Sequence, residues 1–297
     1  MVSQWPIAPN QFFDYEIRPE VGDAGTYFYH SHVGFQAVTA HGLLIVNAAK
    51  HTKPPYHYDG DIPLFFSDYY QRNDSDIEAG LLANPFKWAG EPLAIGLNDR
   101  TGNASFSNAT GDSCKPYVIE VEPGKTYRLR FVSVTALSFI MAGIENHTEL
   151  VVIEADGHYT KPVTTDHIQL ASGQRFSVLL KTKSLQQLHA ENKTSYWIRY
   201  ESRDRPTNVT GYALLQYKDA GHTALPLHLP SSPPVQLSQN RTEYTKWLEY
   251  TLESLNPADK DCFPKASEVT RTVHIRVNQN VVDGFYNGSV QGKLQWL

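Results

Sequence analysis

The chain of 297 residues alternates apolar and polar side chains over many short stretches, which are separated by glycine, proline and small polar residues. In the clearest stretch, Tyr127, Leu129 and Phe131 alternate with Arg128 and Arg130. A period of two residues is typical of a β-strand with one face toward a core. By the same criterion we predict strands at residues 12–17, 26–32, 43–46, 62–70, 127–131, 150–153, 175–180, 196–200 and 272–277. So many short strands predict an all-β fold of Greek-key sandwiches, in which 43–46 is buried.

Two polar stretches that contain prolines interrupt this pattern, at residues 50–60 and 226–234. They predict linkers. Because one hydrophobic core rarely supports a chain of this length, at least two domains are expected. Apolar residues at helical spacing predict a short packing helix that ends before Pro257, formed by Tyr244, Trp247, Leu248, Thr251, Leu252 and Leu255.

Charge and hydropathy exclude several classes of partner. The net charge is −5 and no basic stripe is present, which argues against nucleic acid and against an anionic membrane surface. The chain has no run of eighteen apolar residues, so no membrane span is predicted. Its first residues lack the basic start and apolar core of a signal peptide.

Eight Asn-x-Ser/Thr sequences nevertheless predict a glycosylated, secreted protein; they begin at Asn73, Asn103, Asn108, Asn146, Asn192, Asn208, Asn240 and Asn287. A secreted protein needs a targeting signal. We therefore expect Met1 to be an internal methionine and this chain to be a truncated piece of a longer secretory protein.

The candidate chemistry lies at His30 and His32. In an extended strand these residues point to the same face, about 6.6 to 7 Å apart at about 3.3 Å per residue. Two parallel imidazoles can bind Zn, Cu, Fe or Ni, and the spacing does not choose among them. The alternative is a solvated strand face without a metal. Elsewhere, Asp68, Glu154 and Asp156 are candidates for the paired carboxylates of a glycosidase, but an aspartate before glycine at a strand end, as at Asp156, is far more often a turn residue.

The surroundings of the two histidines carry a family resemblance. Residues 25–32, followed by Gln36 and by 42–46, resemble the second copper-binding stretch of the multicopper oxidases, the laccase and ascorbate oxidase family. Residues 4–9 are similar to the segment that precedes it in the ascomycete ascorbate-oxidase-like branch. Residues 62–70 and 118–130 look like the family's middle cupredoxin domain.

The resemblance implies a division of the chain into four parts. Residues 1–50 would be the C-terminal half of a first cupredoxin domain, 51–60 a linker, and 61–222 a complete second domain. Residues 223–297 would hold a linker, the short helix and the beginning of a third domain. As the only two cysteines of a secreted chain, Cys114 and Cys262 could bridge to each other. The resemblance implies instead that Cys114 pairs with the absent N-terminal part of the first domain, and it leaves the state of Cys262 open.

The resemblance also implies a function. Complete members carry four coppers and couple one-electron oxidation of a small reducing substrate to the reduction of O2 to water. His30 and His32 would each bind one copper of the type 3 pair, in an extracellular enzyme that oxidises a phenol, ascorbate or a metal ion. The sequence contains no second His-x-His and no His-Cys-His. We therefore expect this chain to be inactive by itself.

Two other functions fit the same residues. A mononuclear zinc hydrolase or hydratase would use the His-x-His pair with one further histidine. A secreted β-sandwich that binds carbohydrate or protein would use neither histidine as a ligand. His41 follows the motif and is either a support for a ligand ring or a loop histidine. Metal analysis separates these functions.

Overall fold

The computed structural model describes residues 5–104, 114–218, 220–221, 225–237, 247–256, 264–281 and 290–296. In chain order the strands are β1 (Gly25–His30), β2 (His41–Val46), β3 (Gly60–Tyr69), β4 (Ala94–Leu97), β5 (Val118–Val121), β6 (Thr126–Ser133), β7 (Phe139–Ile144), β8 (Leu150–Ala155), β9 (His158–Thr165), β10 (Ile168–Leu170), β11 (Arg175–Lys181), β12 (Ser195–Arg203), β13 (Thr210–Tyr217), β14 (Ile275–Val281) and β15 (Val290–Trp296). The α-helices in these ranges are α1 (Asp74–Leu81), α2 (Leu185–Glu191) and α3 (Leu248–Thr251). Residues Gln36–Val38 and Ala266–Glu268 form short 3-10 turns.

Two sheets of the middle region enclose one apolar core. The six-stranded sheet has the order β4-β3-β6-β11-β8-β9, and the five-stranded sheet has the order β10-β7-β12-β13-β5. Both are mixed, because β3 pairs with β6 and β13 pairs with β5 in parallel. Alternate residues of each strand meet in the core, where Phe66 of β3 stacks on Phe131 of β6 with ring centroids 6.2 Å apart. Each such buried side chain contributes roughly 1.5–3 kcal/mol relative to an exposed one.

The strands predicted inside this sandwich are confirmed. Alternation placed Tyr196, Ile198 and Tyr200 on one face, and all three are buried in β12. The predicted segments at 62–70, 127–131, 150–153 and 175–180 correspond to β3, β6, β8 and β11. The predicted strand at 272–277 overlaps β14, which begins at Ile275. The division of the chain into four parts stays a prediction.

The strand predicted at residues 12–17 is wrong. This segment forms no strand, and Phe12, Tyr15 and Ile17 are largely exposed. Alternation predicts a strand only where a neighbouring strand can take its backbone hydrogen bonds, and no described strand lies beside this segment. The residues predicted as a buried strand at 43–46 do lie in β2, but every residue of β2 is half-buried. Its sheet contains β1 and β2 only.

The predicted packing helix is shorter than its pattern. Within the described residues it is the single turn α3, and Tyr244 lies outside them. Leu248 and Leu252 pack against the sandwich core, as the prediction required. The helix stops at Thr251 because the next residues pair with the edge of β9: the Lys161 N–H donates to the Glu253 carbonyl over 2.8 Å.

Candidate metal centre

The structure places the rings of His30 and His32 side by side. Their centroids are 6.0 Å apart and their planes are inclined by 28°, and Phe28 continues the stack on the other side of His30 at 5.5 Å. The alternation of an extended chain produces this arrangement, although β1 ends at His30 and His32 lies just beyond it. Both imidazoles are exposed. The predicted same-side geometry is therefore present, while the role of the two rings as ligands stays a prediction.

The backbone beside His30 sets which ring nitrogen can bind a metal. His30 Nδ1 lies 2.9 Å from the Ser31 carbonyl oxygen. A carbonyl oxygen only accepts, so this hydrogen bond requires the proton on Nδ1 and leaves the lone pair on Nε2. Metal-ligating histidines usually make such a bond with their second nitrogen. The Ser31 hydroxyl in turn donates to Gln36 Oε1 over 2.9 Å, which ties the chain after His30 to the following turn.

A third imidazole stands opposite the pair. His41 is the first residue of β2 and is paired with His30 across the two strands. Directly opposed residues point to the same face of a sheet. Its Nδ1 lies 2.9 Å from the Ala37 carbonyl oxygen, and its half-buried ring meets the edge of Phe65 at 6.1 Å. His41 is therefore not a loop histidine. The described residues nevertheless contain no group of three or more His, Cys, Asp or Glu that could hold an ion.

The start of β1 is fastened to the sandwich by buried polar groups. The Thr26 N–H donates to Glu154 Oε1 over 2.8 Å, and Arg130 Nη1 donates to the Thr26 hydroxyl over 2.8 Å. Arg175 Nε donates to the Thr26 carbonyl over 3.0 Å. Beside this residue, a side chain on Gly25 would place its Cβ 2.6 Å from a backbone oxygen of residue 157. We call these contacts the polar anchor.

Glu154 is the centre of the polar anchor. It lies within β8, is 2% exposed, and is bonded by Arg128 Nη2 and by the Ser177 hydroxyl. Burial alone would raise its pKa, but the Arg128 guanidinium and the hydrogen bonds from Ser177 and Thr26 outweigh burial and lower the pKa of Glu154 below its ordinary value. The alternation pattern did not predict that Glu154 is buried, because a charged residue between apolar residues of a strand predicts a solvent-exposed position.

Apolar contacts hold the part of the chain that follows His32. Phe35 and Val38 are buried against Ile77 of α1 and Ala89, and the Phe35 ring meets Tyr70 edge-on with centroids 5.7 Å apart. We call this cluster, with Leu81, Ala136 and Leu137 at its border, the apolar anchor. His30 and His32 lie between the two anchors in the chain, and that placement decides where their exposed rings stand.

Asp68 shapes one wall of the apolar anchor. Its buried carboxylate accepts hydrogen bonds from the backbone N–H groups of Ala136, Leu137 and Ser138, over 2.9, 3.1 and 3.1 Å. Asp68 lies inside β3, whereas Asp156 lies in a turn with φ of +49°, as its position before a glycine predicted.

The remaining predicted residues fall on the surface or outside the described ranges. The acceptor asparagines Asn73, Asn103, Asn146, Asn192 and Asn208 are all exposed, as glycosylation requires. Asn108, Asn240, Asn287 and Cys262 lie outside the described residues. Cys114 is half-buried and forms no disulfide with a described residue, so its pairing stays a prediction. Within the described ranges, no helix has the length and apolar character to cross a bilayer.

The fold and the histidine stretch together define a class of protein. Models of multicopper oxidase domains match residues 1–51, which hold the His-x-His stretch, and residues 60–220, which hold the sandwich. The chain therefore belongs to the multicopper oxidase family, and the resemblance seen in its sequence is confirmed. The description of the family, multicopper oxidase, denotes an oxidoreductase that contains copper.

Individual relatives give the same result. The chain is 57% identical over its whole length to the multicopper oxidase aurL2 of Gibberella zeae, of which it covers 48%. It is 34% identical over 97% of its length to an L-ascorbate oxidase of Cucurbita pepo var. melopepo, of which it covers 52%. The chain thus spans about half the length of these relatives.

A solved structure shows the fold. The structure of Fet3p, a multicopper oxidase that functions in iron import, superposes with a TM-score of 0.67 at 24% identity, over 92% of this chain and 45% of that one. At this identity the likeness concerns the fold alone. The predicted cupredoxin-like, all-β fold is confirmed.

Proposed function

We propose that this chain is part of a copper oxidoreductase of the laccase or ascorbate oxidase type. The enzyme couples one-electron oxidations of a small reducing substrate to the four-electron reduction of O2 to water. His30 and His32 each contribute one nitrogen to the type 3 copper pair. The observation that carries the proposal is the exposed ring pair, in which the hydrogen bond to the Ser31 carbonyl leaves the Nε2 of His30 free for an ion.

The separation of the rings allows one shared ion or two separate ions. The centroids of the two rings are 6.0 Å apart and their planes are inclined by 28°. An ion that binds a ring nitrogen at about 2.0–2.1 Å lies roughly 3 Å from the centroid of that ring, so both rings can reach a single ion. Ions of a two-metal site lie about 3.5–4 Å from each other, so the rings can also each reach their own ion. The family to which the chain belongs, and not this distance, favours the dinuclear role over the mononuclear zinc site.

Copper, when bound, supplies one-electron redox chemistry between the donor and O2. The chain's own residues hold and orient the rings. His30 keeps its proton on Nδ1, and the two anchors fix the ends of the histidine stretch. The reducing substrate is a phenol or a related donor such as ascorbate, the compound named for one relative, or a metal ion. The whole protein acts outside the cell, with glycans on the exposed acceptor asparagines.

This chain is expected to be inactive by itself. Its 297 residues contain one His-x-His sequence and no His-Cys-His sequence, and a blue-copper site needs a cysteine thiolate beside two histidines. We therefore assign two imidazole ligands to this chain and the remaining copper ligands to other parts of the whole protein.

Copper titration of the 297-residue chain tests the proposal. We expect His30→Ala and His32→Ala each to remove one bound copper and the nitrogen signature of one ligand in electron paramagnetic resonance spectra. His158→Ala, which changes an exposed histidine at the start of β9, is the control and should bind copper as the wild type does. Both ligand positions are exposed, so stability should change by less than about 0.5 kcal/mol.

Three results would contradict the proposal. The double variant His30→Ala/His32→Ala could retain all bound copper. The wild type could prefer a single zinc ion, which would favour the hydrolase or hydratase. It could also bind no metal, which would favour a binding module.

A further inference from the structure

We infer that Glu154, a carboxylate of the middle sandwich, is a positioning residue for the histidine strand and sets the copper affinity of His30 and His32. The inference rests on the proposed role of the two histidines as copper ligands. Glu154 itself does not touch the rings. It acts through Thr26, whose backbone and side chain both meet its carboxylate.

The first step is that β1 is buried most deeply at its start. Thr26 is 1% exposed, whereas Phe28 is half-buried and Tyr29 and His30 are exposed. Next to Thr26, the Tyr27 ring lies 5.4 Å from the Arg175 guanidinium, and β1 pairs with β2 along its whole length. Thr26 is therefore the residue of β1 that the sandwich holds by buried hydrogen bonds.

The second step is that the support is rigid. Glu154 Oε2 is bonded by Arg128 and Ser177, and the Arg128 guanidinium lies between the rings of Tyr58 and Tyr159, at 5.6 and 5.5 Å from their centroids. Both oxygens of Glu154 accept hydrogen bonds, Oε1 from the Thr26 N–H and Oε2 from Arg128 and Ser177, and such buried networks make their members rigid. The Glu154 carboxylate can therefore hold the Thr26 N–H at one position.

The third step is that the position of Thr26 is transmitted to the rings. Thr26, Phe28 and His30 share one face of an extended strand, which rises about 3.3 Å per residue. The first ligand, His30, is thus only four positions after Thr26 in the chain. A shift or rotation of the strand at Thr26 therefore displaces both rings. Outer partners that orient metal ligands typically change metal affinity by 10–100-fold when they are removed.

The chain offers a matched control in Glu201. This carboxylate is also 2% exposed and is also paired with arginines, Arg199 and Arg203. It lies in β12 of the five-stranded sheet, whereas Glu154 lies in the six-stranded sheet. Loss of Glu201 disturbs a buried ion pair without touching β1.

The experiment compares Glu154→Gln and Glu201→Gln in the 297-residue chain at neutral pH. Copper(II) affinity is measured by titration with paramagnetic resonance of the nitrogen ligands, and hydrogen exchange is followed at the amides of residues 26–30. We expect Glu154→Gln to weaken copper binding on the order of tenfold and to accelerate exchange of these amides. Glu201→Gln should change neither measurement.

A second pair of variants keeps the test open if Glu154→Gln does not fold. Thr26→Val removes the hydroxyl that forms hydrogen bonds with Arg130 and Glu154, whereas Thr26→Ser keeps it. Thr26→Val should weaken copper binding, and Thr26→Ser should bind copper as the wild type does. Wild-type affinity and exchange in both Glu154→Gln and Thr26→Val would overturn the inference, as would an equal loss in Glu201→Gln. Copper binding that is independent of His30 and His32 would refute the ligand role instead, while the exchange data would still report on the positioning.

Discussion

The histidine hairpin, which consists of β1, β2 and the residues between them (25–46), differs from the middle sandwich in how its side chains are buried. In the sandwich, two sheets bury their facing side chains in a common core, and residues such as Phe66 and Leu129 are 0% exposed. In the hairpin, two strands pair with each other only, and the rings of His30 and His32 face outward. The candidate chemistry thus lies on a pair of strands that buries far fewer side chains than the sandwich does. Its geometry depends on contacts that the sandwich provides.

The two anchors show how the sandwich provides those contacts. The polar anchor holds Thr26 through charged groups whose hydrogen bonds are directional, so it defines the position of β1. The apolar anchor buries Phe35 and Val38. Such contacts are not directional, so this anchor contributes mainly to the stability of the chain after His32. Disturbing the core, the apolar anchor and the polar anchor should therefore give three different results.

The largest effect is expected in the core. Phe66→Ala should cost about 3–5 kcal/mol, because the phenyl ring is fully buried and leaves a cavity beside Phe131. The matched change in the hairpin, Leu44→Ala in half-buried β2, should cost less than about 2 kcal/mol, the lower bound for buried leucines. Urea unfolding of the two variants measures the difference. Equal losses would show that the hairpin has a core of its own.

A smaller and more local effect is expected at the apolar anchor. Phe35→Ala should accelerate hydrogen exchange at residues 31–40 by at least about tenfold while the amides of the sandwich keep their protection, because local opening needs only the local contacts. Phe86→Ala is the control, since Phe86 is 40% exposed and lies outside the cluster. Faster exchange across β6 and β11 in Phe35→Ala would instead mean that the hairpin and the sandwich open together.

The smallest effect is expected at the polar anchor, where we predict how the contribution of Glu154 to the unfolding free energy changes with pH. Because the folded pKa of Glu154 lies below its ordinary value of 4.5, its ionised form stabilises the fold above that pH, and the contribution is lost as the pH falls through the folded value. The difference in unfolding free energy between wild type and Glu154→Gln should therefore be greatest near neutral pH and shrink below about pH 4.5. Chemical denaturation at a series of pH values checks this, and a constant difference would contradict it.

Much of the fold could be predicted from local pattern. Five of the eleven sandwich strands, β3, β6, β8, β11 and β12, were predicted because alternate residues in them bury a face, and that requirement is visible in the sequence at Tyr127, Leu129 and Phe131. The other six, which are mostly shorter, were not predicted. The same criterion failed at residues 12–17, where the alternation is present but no described strand lies alongside. Helix α1 was missed, although Asn73 accepts a hydrogen bond from the Asp76 N–H as its N-cap; such capping residues were an available signal.

The candidate site could be predicted only in part. His-x-His on an extended stretch predicts two rings on one side, because side chains two residues apart share a face, and the rings are side by side. Sequence reasoning did not find the role of Glu154, which pairs with Arg128, 26 residues earlier, and with Thr26, 128 residues earlier. Nothing local distinguishes a carboxylate that will be bonded by a distant arginine from one that will be solvated.

The sequence by itself determined five of the sandwich strands, the histidine pair and the family, because each depends on residues that are neighbours in the chain. Only the tertiary structure decided that the charged face of β6 is buried, that His41 stands opposite His30, and that Thr26 is held by Glu154. These facts depend on which surfaces meet after folding, and the cost of burying a charge is repaid only by partners that are far away in the sequence.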